Sequence, residues 1–219
     1  MESALTTRAG YTPRIARTQT PPRRVRLSSE ERRARIIEAA AEIFLEVGLS
    51  GARTRVIAER AGITEAILYR HFASKEEIFD VALLQPLAAQ LDELLARSRD
   101  IVKGPGDRRQ RILRMEELWL RSLERILPLA GVALFCELEA GRQAYRRVVG
   151  PFLGEMQAVV DELGGEPTVD PTIVVHAAFG MNMMLVLDAQ YQGKAVDVKR
   201  VARQVTNVFA SGLSEPSVA

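Results

Sequence analysis

The side chains that could do chemistry at a defined site are few and scattered. His71 and His176 are the only histidines among 219 residues, and Cys136 is the only cysteine. No cluster therefore has the spacing that a metal ion requires. The sequence also lacks a glycine-rich phosphate loop and a nucleophile motif on a strand. It predicts neither an enzyme nor a protein with a metal or another cofactor.

A different chemistry is offered by polar, aromatic and basic residues that follow Thr54. Thr54 and Thr64 are good N-caps for two short helices, and Gly62 lies between them where a sharp turn needs a positive φ. Two helices so joined can cross at a large angle, and the second can then enter the major groove of DNA. The alternative is an ordinary pair of packed helices.

The second short helix is amphipathic. Its outward face carries Glu65, Ala66, Tyr69 and Arg70. The opposite faces of the two helices can close a small core with Phe44 of a preceding helix, and the apolar residues available for it are Ile57, Ala61, Ile63, Leu68 and Phe72.

Helices also precede and follow this pair. Ser28 and Glu31 form a capping box for a first helix, which Gly48 can end in the left-handed conformation. Ser74 and Glu77 open a fourth helix in the same way. Helical periodicity resumes after residue 106 and is interrupted by Pro128. Further helices are predicted over residues 142–163, 171–192 and 197–213, so the fold class is all-α with about nine helices.

Charge is distributed unevenly along the chain. Residues 1–75 carry 14 Lys and Arg against 8 Asp and Glu, whereas residues 76–219 carry 16 against 20. A basic front third suits attraction to nucleic acid. Residues 1–27 contain six arginines and few large apolar side chains, which predicts a disordered basic arm. Such an arm either follows a DNA groove or takes no part in binding.

Compartment and overall class follow from composition. Hydrophobic residues make up 47% and charged residues 26%, which allows a folded core. A single cysteine and the lack of an apolar stretch after Met1 predict a cytoplasmic protein.

The run AGITEAILYRHFASKE at residues 61–76 resembles the signature of the tetracycline-repressor (TetR) family of regulators. The resemblance extends over roughly residues 29–80. It implies a three-helix DNA-binding domain at residues 28–75 and a helical ligand-binding and dimerisation domain at residues 76–219. Beyond residue 80 only the architecture is similar.

The resemblance also implies contacts with double-stranded DNA. Phosphate contacts are implied for Arg53, Thr54, Arg55, Tyr69, His71 and Lys75, and base contacts for Thr64, Glu65, Ala66 and Ile67. Arg70 can reach either a base or a phosphate. Glu65 departs from the basic or amide residue that the family often has there, so its carboxylate either accepts from a cytosine amine or caps its own helix.

The C-terminal helices indicate a homodimer. Residues 173–187 are almost all apolar, so both faces of that helix must meet protein, and fifteen residues are too few to span a membrane. In the resembled family the last two helices form a four-helix bundle with a partner. The following helix has an apolar stripe that predicts the dimer interface, formed by Val201, Val205, Val208 and Phe209.

Aromatic and methionine side chains on the central helices are candidates for a ligand pocket, although the same pattern is common in plain cores. The candidates are Met115, Trp119, Phe135, Phe152, Met156, His176, Phe179 and Met183. Together these features predict a repressor that binds a palindromic operator as a homodimer and is released by a small apolar or amphipathic effector. The alternative is an all-helical interaction module that does not bind DNA.

Overall fold

The computed structural model describes residues 28–164 and 170–212, and these residues form eight helices and no strand. The all-α prediction is confirmed. The basic arm predicted for residues 1–27 lies outside the described residues. Six of the helices contain no π turn: α1 (Ser29–Gly51), α2 (Thr54–Arg60), α3 (Glu65–His71), α5 (Arg108–Phe135), α7 (Pro171–Tyr191) and α8 (Val198–Gly212).

The other two helices each contain one π-helical turn. Helix α4 runs through Lys75–Phe79, the π turn Asp80–Leu84 and Gln85–Lys103, and α6 runs through Leu138–Ala144, the π turn Tyr145–Val149 and Gly150–Asp161. Each π turn lies immediately before a segment with a proline near its start, Pro86 in α4 and Pro151 in α6. A proline ring clashes with the carbonyl one turn earlier, and a wider turn relieves that clash.

The predicted starts of α1 and α3 and the turn at Gly62 are confirmed, but Thr54 is the first residue of α2 and not its N-cap. The N-cap is Arg53, which makes no side-chain capping hydrogen bond, and the Thr54 hydroxyl donates to Glu65 instead. The Ser28 hydroxyl accepts from the Glu31 amide at 3.0 Å, and the Ser28 amide donates to the Glu31 carboxylate at 2.6 Å. Gly48 and Gly62 have φ of 70° and 71°, the left-handed values that glycine adopts without strain. The regular part of α1 ends at Gly48, as predicted, because its φ of 70° and ψ of −178° are not helical, and one further turn beyond this kink reaches Gly51.

The predicted break at Pro128 is wrong, because α5 continues through it to Phe135. Proline at this position leaves the carbonyl of Glu124 without its helical donor. Gln190 of α7 compensates, since its Nε2 donates to that carbonyl at 3.4 Å. The partner comes from 66 residues further along the chain.

Helix α5 lies at the centre of the C-terminal part and packs against α4, α6, α7 and α8. Its first half buries Trp119 and Leu120, and its last turn meets α1 of the N-terminal part. At this junction Ser50 Oγ donates to Glu137 at 2.5 Å. A Cβ placed on Gly48 would lie 3.1 Å from Cys136 Cβ, so the two segments are closely packed.

Helix α7 spans nearly the whole predicted range 171–192, which is longer than its stretch of fifteen apolar residues. With 21 residues it is the one helix of the described chain that could cross a membrane by length and composition alone, so its length does not exclude a span. One face of α7 packs in the protein core through Val175, Asn182 and Val186. Only 22% of its most apolar window is buried, which leaves its other face uncovered in the single chain.

Candidate DNA interface and ligand cavities

The turn between α2 and α3 is fixed by backbone hydrogen bonds. The Gly62 amide donates to the Glu59 carbonyl at 3.1 Å, and the Ile63 amide donates to the Ala58 carbonyl at 3.0 Å. Leu68 of α3 is fully buried, as are Ile57 and Phe44. The opposite face of α3 is therefore presented to solvent, with Ala66, Tyr69 and Arg70 exposed.

Three polar side chains on this surface form a chain of hydrogen bonds. Thr54 Oγ1 donates to Glu65 Oε1, and the hydroxyl of Tyr69 donates to Thr54 Oγ1 at 3.3 Å. The prediction that Glu65 caps its own helix is wrong, because the N-cap of α3 is Thr64, whose hydroxyl accepts from the Ile67 amide. The hydroxyls of Thr54 and Tyr69, expected on phosphates, bond to side chains here.

Lys75 is also engaged within the protein. Its Nζ donates to the carbonyls of Leu49 at 2.8 Å and Ala52 at 3.2 Å, which follow the end of the regular part of α1. The ammonium thus joins the start of α4 to the end of α1. The phosphate contact implied for Lys75 stays a prediction, and its ammonium has a structural role besides, because two of its three N–H groups donate to carbonyls.

The remaining predicted DNA-contacting side chains surround this network. Arg53 and Arg55 are exposed at the start of α2, and Arg55 forms an ion pair with Glu59 at 3.0 Å. Ile67 and His71 are half-buried on α3. Of the predicted set, the structure brings Thr54, Glu65 and Tyr69 into direct contact.

Sequence reasoning missed two arginines that position the helix pair. Arg33 of α1 lies 4.2 Å from the centre of the Phe72 ring and donates to the His71 carbonyl at 3.1 Å. Arg60 of α2 forms ion pairs with Glu42 at 2.9 Å and Glu46 at 3.6 Å on α1. The spacing of Glu42 and Glu46 on one helical face was the signal for this contact.

The C-terminal part contains an apolar cavity of about 320 Å³ between α4, α5, α6 and α7. Three predicted pocket residues, Phe135, Phe179 and Met183, line it. Phe135 is 74% exposed and lies at its mouth. The other lining residues are Leu87, Leu91, Ile126, Leu127, Ala130, Gly131, Leu134, Val149, Leu187 and Tyr191.

A second, smaller cavity of about 50 Å³ lies on the other side of the aromatic cluster. Met115 and Trp119 line it together with Glu116, Arg108 and Phe209. The Trp119 and Phe179 rings are in edge contact with centroids 6.1 Å apart, so these two side chains stand between the cavities.

Three predicted pocket residues line neither cavity. Met156 is fully buried, and Phe152 packs edge-on against Phe179 at 6.3 Å, so both belong to the core. His176 is exposed, and its Nδ1 lies 2.6 Å from the Thr172 carbonyl of its own helix. The apolar pattern did not distinguish residues that line a space from those that fill one.

Glu116 is a buried carboxyl that sequence reasoning missed. Asn182 Nδ2 of α7 donates to its Oε2 at 2.6 Å. Loss of solvent raises the pKa of Glu116 to about 7, against the lowering effect of the Asn182 hydrogen bond. Within residues 28–164 and 170–212, Asn182 Oδ1 is buried and receives no hydrogen bond. A protonated Glu116 can supply a donor to it, so the neutral form suits the pair.

The predicted dimer stripe on α8 is divided by the structure. Val205 is 3% exposed and Val201 packs against the core, because this side of α8 covers α5. Phe209 lines the smaller cavity, and Val208 is 54% exposed. Assigning Val205 to an interface is therefore wrong. The larger uncovered surface is on α7, where Ile173, Ala177, Met184 and Tyr191 form an exposed stripe.

Comparison with known proteins identifies the class to which this helix-turn-helix and helical domain belong. Residues 36–82 match the family model for bacterial regulatory proteins of the tetR family. The transcriptional repressor KstR2 of Rhodococcus jostii is 30% identical over 197 residues, which cover 84% of this chain and 92% of that protein. The chain therefore belongs to the TetR family of transcriptional regulators, whose DNA-binding element is this helix-turn-helix.

Other relatives match over shorter regions or by fold. The transcriptional activator FasR of Mycolicibacterium smegmatis is 35% identical over 99 residues, 45% of this chain and 43% of that protein. The match thus spans less than half the length of FasR. FadR of Bacillus subtilis, solved in complex with stearoyl-CoA, superposes with a TM-score of 0.60 at 19% identity, covering 83% of this chain and 99% of that one.

Proposed function

We propose that this protein is a homodimeric repressor that binds a palindromic operator and is released by a small apolar or amphipathic effector. The observation that carries the proposal is the pairing of two surfaces in one chain, the exposed polar face of α3 and the apolar cavity between α4 and α7. Such a regulator acts in the cytoplasm, where bacterial DNA lies. A role as an interaction module that does not bind DNA is disfavoured by membership of the family.

Repression is favoured by the extent of the matches. KstR2, a repressor, matches along 92% of its length, whereas FasR, an activator, matches over 43%. The α3 surface is common to both modes of regulation. Support for repression therefore comes from the C-terminal half of this chain, over which the match with KstR2 continues and the match with FasR does not.

DNA binding is tested with random duplex DNA and then with selected sites, by fluorescence anisotropy at increasing salt. The affinity should fall steeply with salt because phosphate contacts release counterions. Arg70→Ala should weaken binding about tenfold. The matched change Arg97→Ala, on α4 where Arg97 pairs with Glu93, should have no effect on binding. Equal effects of the two substitutions would contradict the assignment of the α3 face.

The effector site is argued from the shape and chemistry of the larger cavity. Its walls are aliphatic and aromatic, so an apolar molecule gains free energy by leaving water for it. FadR was solved with stearoyl-CoA, which makes long-chain acyl compounds the first probes. A hundredfold loss of operator affinity requires roughly 3 kcal/mol of preference for the non-binding state.

The effector site is tested by filling the cavity. Gly131 lines it, and a Cβ added there meets no atom within 4 Å. Gly131→Leu should keep operator binding but abolish release by stearic acid or stearoyl-CoA. The control Gly154→Leu lies on α6 at a position equally free of neighbours and away from the cavity walls. Equal release of the two variants would show that the effector binds elsewhere.

A further inference from the structure

The polar network of Thr54, Tyr69 and Glu65 contains one acidic side chain, that of Glu65. We propose that Glu65 reads a cytosine in each half-site, and that Thr54 is the positioning residue that orients its carboxylate. This inference rests on the proposed DNA binding and goes beyond it, because it names the base that the carboxylate selects.

The hydroxyl protons of the network all point in one direction. A threonine hydroxyl has one proton to donate, and Thr54 gives it to Glu65 Oε1. The lone pairs of Thr54 then accept from the Tyr69 hydroxyl. Both hydroxyl protons point along the network toward the carboxylate, which fixes Glu65 as the final acceptor. Among the described residues, Oε2 of Glu65 receives no hydrogen bond and stays available.

Glu65 adds a negative charge to a surface that is otherwise basic. Arg53 and Arg55 flank Thr54 in the sequence, Arg70 follows Tyr69, and all three arginines are exposed. A carboxylate among them opposes the attraction of phosphates, and it loses water when the surface docks. That loss is offset only where DNA supplies a hydrogen-bond donor. The carboxylate therefore discriminates between sequences that supply one and sequences that do not.

The four bases differ in the hydrogen-bonding groups that they offer a carboxylate in the major groove. In the major groove cytosine presents the N4 amine as a donor, without an adjacent acceptor on the same base. Adenine presents its N6 amine beside the N7 acceptor, which repels a carboxylate. Guanine presents two acceptors, and thymine presents an acceptor and a methyl group. A group that only accepts hydrogen bonds thus suits cytosine best.

The experiment is selection of bound sequences from a random duplex pool, with the wild type and single-site variants. The wild type should prefer cytosine about tenfold over the other bases at one position of each half-site. Glu65→Gln should change that position to adenine, because an amide donates to N7 and accepts from N6. Glu65→Ala should remove the preference there and leave the other positions unchanged.

Positioning by Thr54 is tested by two variants with opposite expectations. Thr54→Val keeps the shape but loses the hydroxyl, so the cytosine preference should fall several-fold without a change of preferred base. Thr54→Ser keeps the hydroxyl, so this variant should retain the cytosine preference of the wild type. Glu59→Gln is the matched control for loss of a carboxylate, since Glu59 pairs with Arg55 on α2 and lies outside the network.

The outcomes separate this proposal from the one on which it rests. A wild-type protein that enriches no sequence overturns DNA binding, and this proposal with it. A Glu65→Ala variant that selects the same sequence with the same weights at every position overturns the reading role alone. The reading role is also overturned if the wild-type protein prefers guanine, thymine or adenine at the position where the Glu65 variants change the selected base.

Discussion

Helices α3 and α7 use their apolar residues in different ways. Helix α3 buries its one apolar side in the core that it shares with α2 and presents its polar side to solvent. Helix α7 is apolar on both sides, and the single chain covers only the side with Val175, Asn182 and Val186. An amphipathic helix indicates its own orientation, whereas a helix that is apolar all round needs a second partner.

The largest effect is expected from a charge on the uncovered side of α7. Met184→Glu should dissociate the proposed dimer, because a carboxylate buried in an apolar interface has no counter-charge. Operator affinity should then fall by about 100-fold or more, since a single recognition helix reads only one half-site. Sedimentation and DNA titration measure the two effects.

Gln143→Glu is the control for this change, because it adds the same charge at an exposed position on α6. It should leave both mass and affinity unaltered. A Met184→Glu protein that sediments as a dimer at micromolar concentration would contradict the placement of the interface on this side of α7.

The next effect concerns the covered side of α7, through Glu116. Its folded pKa of about 7 lies above the reference value of 4.5, so between these values the folded protein binds more protons than the unfolded chain. The free energy of unfolding should therefore fall by about 3 kcal/mol as pH rises from about 4.5 to 7 and beyond.

Glu116→Gln should remove this pH dependence and stabilise the protein above pH 7. Its amide can accept from Asn182 Nδ2 and donate to Asn182 Oδ1, which receives no hydrogen bond in the described part of the chain. Urea unfolding at pH 5 and pH 8 measures the change, with Glu117→Gln as the neighbouring control. A wild type of equal stability at both pH values, after correction for the control, would refute a buried ionisable Glu116.

A smaller effect is expected at the joint between the DNA-binding helices and α4. Lys75→Met removes hydrogen bonds from an ammonium to two carbonyls, which should lower the free energy of unfolding by about 2 kcal/mol. Lys103→Met, at the exposed end of α4, should cost little. Unchanged stability with a salt slope reduced by about one phosphate contact would instead support the phosphate clamp alone.

The smallest effects are expected from glycines in helix interiors with free space around them. Gly131→Ala and Gly154→Ala should each raise the free energy of unfolding by about 0.5 to 1 kcal/mol, because alanine loses less backbone entropy. Thermal unfolding measures the gain. Loss of stability at Gly131 alone would show that the cavity wall is tighter than its geometry indicates.

Features set by nearby residues could be predicted from the sequence. The cap formed by Ser28 and Glu31, the left-handed Gly62 and the buried face of α3 depend on residues a few positions apart. The helix-turn-helix was therefore recognisable, and its exposed face was correctly distinguished from its core.

Features that depend on distant partners could not be predicted. Pro128 predicts a helix break because the sequence does not show that Gln190 donates to the Glu124 carbonyl. The sequence likewise does not show that the Lys75 ammonium donates to the carbonyls of Leu49 and Ala52, which precede it by more than twenty residues. The same limit explains the wrong assignment of Val205, because its apolar stripe shows that a face is buried but does not identify the covering surface.

The close packing of Gly48 and Cys136 has a practical consequence for spectroscopy. Cys136 is the chain's only cysteine, it is exposed, and it lies where α5 meets the end of α1. A fluorescent or spin label can thus be attached at one defined position without prior mutation. In a dimer the two labels would give one distance, and its change on addition of an effector would report movement at the junction between the domains.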